Sequence, residues 1–199
     1  MRPELDELVL GDPSDAWEAL GFTIEDGVAV VGGVRTRLTG SGVGIAGWSL
    51  RGIGAGVDLD GLPTSVSEAP PAQPMVHALG VTAVDHVVAL TPDFERTVGK
   101  LRTAGLDYRS SRDAGNGFRQ AFFVLGPCLL ELGGPAEGDV RFWGLTLVVD
   151  DLDAAAERLG ERLGRVKDAV QPGRRIATLR REAGLGVPVA LMTPRALGG

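Results

Sequence analysis

Cysteine is all but missing from this chain of 199 residues, where Cys128 stands alone. No internal disulfide can form, and no all-cysteine zinc site can be assembled. A single thiol fits a reducing, cytoplasmic setting. Aromatic residues are scarce, at 5%, and no Lys/Arg run interleaves with them, which argues against a stacking platform for single-stranded nucleic acid. Positive charge is in deficit. With 26 acidic against 20 basic side chains the formal charge is −6, so no basic field exists to displace counterions from a phosphate backbone, and nucleic acid is not an expected partner. The longest apolar stretch, Ala121 to Leu130, is about half of what a spanning helix needs, so no membrane partner is expected. Glu4, Asp6 and Glu7 stand where a secretory signal would carry basic and then apolar residues, which again points to the cytoplasm.

Glycine is the residue in excess. The chain has 30, roughly twice average usage, and its 44% of hydrophobic residues can close a core. The glycines punctuate a repeat. A strand at Leu5 to Leu10 leads to a helix capped by Asp12, opened by Pro13 and stopped at Gly21. A second strand, Val84 to Leu90, leads to a helix starting at Thr91 and Pro92, with Phe94, Val98 and Leu101 at helical spacing and a stop at Gly105. A third, Phe142 to Val149, leads to a helix capped by Asp150 or Asp151, apolar at Leu152, Ala156, Leu159 and Leu163, and stopped at Gly164.

Short strands separated by glycine turns follow each helix, which predicts a βαβββ unit three times over. They read Phe22 to Leu38 with a turn at Gly32 and Gly33 in the first unit, Phe118 to Leu125 and Cys128 to Leu132 in the second, and Arg174 to Arg180 and Val187 to Met192 in the third. A further strand is expected at Ile45 to Ile53, before a stretch rich in Gly, Pro, Ser and Ala from Gly54 to Ala78. The expected organisation is an incomplete N-terminal βαβββ-like unit plus an extra strand over 1–60, a linker over 61–79, and a complete pair of units over 80–199.

Paired units of this kind, with Asp85-His86-Val87-Val88, Gln120-Ala121-Phe122-Phe123-Val124-Leu125-Gly126 before Leu130-Glu131-Leu132, and Val148-Val149-Asp150-Asp151-Leu152-Asp153-Ala154, resemble the vicinal oxygen chelate superfamily. That superfamily includes glyoxalase I, extradiol dioxygenases and bleomycin-binding resistance proteins. The resemblance implies an α+β fold in which paired βαβββ units form a curved, incompletely closed mixed sheet around a cavity. In metal-dependent members the ligands come from the first and last strands of two units. His86 and Glu131, separated by 45 positions, fill those places in the middle unit, whereas the third unit puts Gly144 and Ala190 there at a separation of 46. The first unit aligns Glu7 and Arg37, and an arginine repels a cation. Two protein ligands are too few for a tightly held catalytic zinc, so no resident cofactor is expected, a divalent metal on His86 and Glu131 being the alternative.

His86 alternates with Val84 and Val88 on one strand face, which aims all three at the concave pocket. A bland reading makes His86 a hydrogen-bonded core residue and sets Glu131 at a rim. Glu131 lies among Cys128, Leu129, Leu130 and Leu132, where a buried carboxylate must be paired. The two together suit general acid–base work or ligand orientation. Either Gln120 or Arg119 points inward, and Phe122 or Phe123, Leu129 and Thr146 complete the expected lining. Arg174 and Arg175, after Gln171-Pro172-Gly173, suit an anion clamp, though an exposed basic turn is ordinarily just solvated. Cys128 reads as inert packing.

Three functions follow from the resemblance and these residues. The first is a protein binding a small, mostly apolar molecule in the concave pocket, without a complete metal site. The second is a metal-dependent lyase, isomerase or dioxygenase in which Glu7, Gln120 or a second chain completes His86 and Glu131. The third is a non-catalytic assembly module, the N-terminal unit offering an edge for a homodimer.

Overall fold

The computed structural model describes residues 2–195. Its larger sheet is built by two units that mirror each other. The first runs β6 (Val81–Leu90), α2 (Phe94–Thr103), β7 (Asp107–Gly115), β8 (Phe118–Leu125) and β9 (Cys128–Gly134). The second runs β10 (Arg141–Val149), α3 (Leu152–Leu159), β11 (Lys167–Asp168), β12 (Arg175–Thr178) and β13 (Val189–Met192). The spatial order is β11-β12-β13-β10-β6-β9-β8-β7. In each unit the first strand runs parallel to the last, β6 to β9 and β10 to β13, and the two first strands meet antiparallel at the centre. The α+β, curved-sheet expectation holds.

Capping is local chemistry. Asp151 accepts hydrogen bonds from the backbone N–H of Asp153 and Ala154, and Asp93 accepts one from Arg96 N–H, satisfying donors that a helix start leaves free. Three boundary expectations are corrected. The α2 cap is Asp93, beyond Pro92. Asp12 caps nothing, because its carboxylate accepts from the Trp17 indole N–H and from Gly186 N–H, and α1 (Ser14–Glu18) begins without a side-chain cap. The third helix ends at Leu159, Gly160 at φ 55° turning the chain into a short 3-10 segment.

The smaller sheet holds β1 (Glu4–Leu10), β2 (Val28–Val31), β3 (Val34–Leu38), β4 (Ile45–Arg51) and β5 (Thr64–Val66) in the order β2-β3-β1-β4-β5. The first unit therefore has two strands after its helix, against the three expected, since the stretch to Leu38 has room for only one hairpin. β5 lies inside the stretch expected as a linker and pairs parallel with β4. The five strands repeat the inner order β8-β9-β6-β10-β13 in pairing and direction. The irregularities repeat too. β1 skips one residue at Asp6 against β4, as β6 does at Asp85 against β10; β4 skips Ala46, as β10 skips Trp143. The small sheet is a shortened copy of the large one.

One apolar core joins the two sheets. Leu5, Leu8, Leu10 and Trp17 bury against it from the small side, Val84, Val87, Phe123 and Leu130 from the large side, and the Trp48 and Phe142 rings meet edge-on at 4.8 Å between centroids. No helix among the described residues is long and apolar enough to cross a membrane.

Candidate functional site

The eight-stranded sheet curves until residues from both of its edge strands, Arg109 and Arg112 on β7 and Lys167 on β11, line one cleft of about 860 Å³. Alternation along the inner strands sets the floor. His86 and Val88 reach it from β6, Gln120 and Phe122 from β8, Leu129 and Glu131 from β9, and Thr146 from β10. Val84 and Phe123 are instead placed in the core. Phe123 alternates with Phe122 and packs edge-on against Tyr108 at 5.6 Å. Val84 is turned by the bulge at Asp85, which inserts one residue and reverses the alternation beyond it. Arg119 pairs with Glu95 and lies over the Phe94 ring, leaving Gln120 as the inward member of its pair.

The bulge also supplies the carboxylate that orients His86. A regular strand would point neighbours Asp85 and His86 to opposite faces. The extra residue brings Asp85 Oδ2 to 2.8 Å from His86 Nδ1. Burial works to raise the Asp85 pKa, but hydrogen bonds from His86 and Arg174, with the charge of Arg174 at 2.7 Å, outweigh it and bring the carboxyl down to about 2. An ionised Asp85 can only accept, so Nδ1 carries the proton and, in the neutral ring, Nε2 carries the lone pair. Nε2 lies 3.0 Å from the Thr146 hydroxyl and 3.6 Å from Glu131 Oε2. The Gln120 amide donates to Glu131 Oε1 at 2.5 Å, and Arg112 Nε donates to Gln120 Oε1 at 2.7 Å. The chain Arg112, Gln120, Glu131 thus positions a carboxylate beside an imidazole nitrogen able to hold or accept a proton.

Arg174 departs from the solvated-turn reading, with its side chain only 3% exposed. Besides Asp85 it donates to Thr193 O at 2.8 Å and Gln171 Oε1 at 2.5 Å. Arg175 is partly exposed and pairs with Asp153 through both terminal nitrogens. Asp85 and Arg174 are the site residues that strand alternation could not identify, because a bulge is invisible to a period-2 reading and the pair is separated by 89 positions. Trp143, half exposed at the cleft, is aimed by the β10 bulge in the same way. Cys128 is fully buried, and desolvation, with the Asp85 charge adding, pushes its thiol up to about 12, which suits packing and not nucleophilic attack.

The residues do not fit a resident divalent metal. A Cβ on Gly144 would stand 2.6 Å from the Pro188 carbonyl oxygen, so no ligating side chain fits there, and Ala190 is aliphatic. Glu7 is engaged elsewhere, with Arg37 Nη2 at 2.9 Å and Nε at 3.2 Å in the small sheet. Among the described residues no group of three His, Cys, Asp or Glu side chains is arranged to hold an ion. Two donors, one of them hydrogen-bonded to Gln120, fall short of the usual three.

Comparison with solved structures decides the fold. The chain is similar to methylmalonyl-CoA epimerase from Mycobacterium tuberculosis, with a TM-score of 0.52 and 21% identity over 61% of this chain and 93% of that one. The fold is the vicinal oxygen chelate, glyoxalase-like fold. A Streptomyces coelicolor methylmalonyl-CoA epimerase variant in complex with 2-nitronate-propionyl-CoA is likewise similar, at TM-score 0.48 and 24% identity over 58% of this chain and 99% of that one. No family model matches the chain, and no curated protein does. At such identities the likeness speaks for the glyoxalase-like architecture alone.

Proposed function

We propose that this glyoxalase-like chain binds a small, mostly apolar molecule in the cleft of its larger sheet, with His86 and Glu131 as the polar groups that meet it. The observation that supports this reading is the open cleft itself. Val88, Phe122, Leu129 and Met192 supply apolar surface around one imidazole and one carboxylate, and each of these polar groups is fixed by a hydrogen-bonded neighbour. Polar groups rigidly held beside apolar surface are the usual composition of a small-molecule site. The oriented Nε2 of His86 also suits proton transfer to or from the bound molecule.

A thermal-shift screen of small molecules tests it. A ligand at one hundred times its dissociation constant adds about 2.7 kcal/mol to the native state if it binds that state alone. Compounds that raise Tm on the native chain and lose the effect on Ala190→Phe, which adds a ring at the cleft wall, are the expected result. Stabilisation indifferent to that substitution, or none at all, removes the cleft from consideration.

A further inference from the structure

We infer that the molecule bound in the cleft is an organic anion, its charged group gripped between the two edges of the sheet and its apolar body lying on Phe122 and Trp143. The inference rests on the small-molecule reading of the cleft and names the chemistry of its ligand. Charge distribution carries it. The whole chain is acidic, at −6, yet five basic side chains line the cleft, Arg109, Arg112, Lys167, Arg174 and Arg195, against the carboxylates Glu131 and Asp168. Asp85 already balances Arg174 at 2.7 Å, so the excess lies with Arg109, Arg112 and Lys167, and a concave surface with an excess of one sign of charge concentrates the opposite ion.

The placement of these groups is as informative as their number. Arg109 and Arg112 come from one edge strand and Lys167 from the other, so opposite edges of the sheet bring basic groups to the same cleft. Among the described residues Arg109 and Lys167 pair with no carboxylate, and Arg112 spends only its Nε on Gln120, leaving its terminal nitrogens uncommitted while its guanidinium lies 5.5 Å from the Phe122 ring centre. Below them Arg174 adds a second, independent sign. Its Nη2 is buried without a hydrogen-bond partner, although the side chain is only 3% exposed. A buried donor left open is costly, and an acceptor brought into the cleft, directly or through a bridging water, satisfies it. Glu131 has one oxygen held by the Gln120 amide, and its charge favours an anion seated toward the basic groups of the two edge strands over one against the floor. The apolar half of the ligand is defined by Trp143, 50% exposed, and Val170, 75% exposed, which flank the cleft as uncovered hydrophobic surface.

A matched pair of fluorescent probes tests the inference. 1-Anilinonaphthalene-8-sulfonate and N-phenyl-1-naphthylamine share one apolar body and differ by the sulfonate. The native chain is expected to bind one sulfonate probe about tenfold more tightly than the neutral one at low salt, as two or more partly exposed charge pairs provide. That preference should shrink in 0.5 M salt, where screening shortens the reach of the rim charges, and in the double variant Arg109→Gln/Lys167→Gln. Both probes should lose binding in Ala190→Phe. Equal affinity for the two probes overturns the anion inference and leaves the small-molecule cleft standing. Binding of neither probe overturns both, and a sulfonate preference untouched by the double variant and by Ala190→Phe places the anion elsewhere and overturns the inference.

Discussion

In the small sheet Glu7 stands across from Arg35 on β3, and in the large sheet His86 stands across from Leu129 on β9; Arg37 and Glu131 follow two residues on. The buried aspartates Asp6 and Asp85 immediately precede Glu7 and His86, each at a bulge. Gly47 and Gly144 lie against the carbonyls of Pro63 and Pro188. With so much scaffold in common, the side chains decide the outcome. Arg37 clamps Glu7 with two hydrogen bonds, and the segment after β5 crosses the equivalent face, Ser67 reaching Asp6 at 2.6 Å, Arg35 reaching the Pro70 carbonyl at 2.9 Å and Met75 N–H reaching Val30 at 3.0 Å. That face is filled by its own chain. The large sheet keeps the same bulge and leaves a cleft in front of it, so the bulge is architecture common to both sheets and the cleft beside His86 is what sets the large one apart.

The sharpest test of this contrast removes each bulge carboxylate in turn. Asp85→Ala strands Arg174, which has 3% of its side chain exposed, whereas Asp6→Ala strands Arg35 and Arg51, at 23% and 16%, which can turn to water. Breaking a buried pair from one side costs about 3–5 kcal/mol. Chemical denaturation should show the Asp85 loss in that range and the Asp6 loss below it. Equal losses would mean that Arg174 relaxes into the cleft and that the two bulges are energetically alike.

Much of this pairing could be read from the sequence. The strand–helix order, the Asp-His opening of β6 and the spacing of His86 and Glu131 were legible because a parallel first-and-last strand pair forces equivalent residues to equivalent depth. Gly144 was legible as a missing ligand. Two things were not. The bulge at Asp85 breaks alternation, so it sends Val84 to the core and brings Asp85 to His86, and no local pattern marks it. The large-sheet likeness of β4 and β5 was hidden because β5 has only three residues, in a stretch whose composition reads as a linker.

Glycine offers a second, smaller test. An added Cβ at Gly144 would stand 2.6 Å from the Pro188 carbonyl oxygen, a distance backbone cannot accept without shifting; at Gly47 the matching contact is 3.1 Å from the Pro63 oxygen. Overpacking of this kind costs about 1–3 kcal/mol. Gly144→Ala is expected to lower stability by about 2 kcal/mol or more, and Gly47→Ala by about 1 kcal/mol, in parallel urea titrations. A Gly144→Ala chain as stable as the parent would show that β13 yields easily, and that the position lacks a ligand for reasons other than space.

The smallest effect belongs to the pair that occupies the equivalent strand positions in the small sheet. Glu7 and Arg37 are joined by two hydrogen bonds, but their side chains remain 18% and 47% exposed. Water competes with such a pair, and exposed ion pairs contribute about 0–1 kcal/mol. Glu7→Gln keeps the shape and one acceptor, so its loss should sit at the low end of that range, with binding of the naphthylamine probes to the large-sheet cleft unchanged. A loss of several kcal/mol would mean that the clamp, and not the segment after β5, holds the filled face together. The two sheets would then differ by one ion pair at the place where the other keeps His86 and Glu131 beside open space.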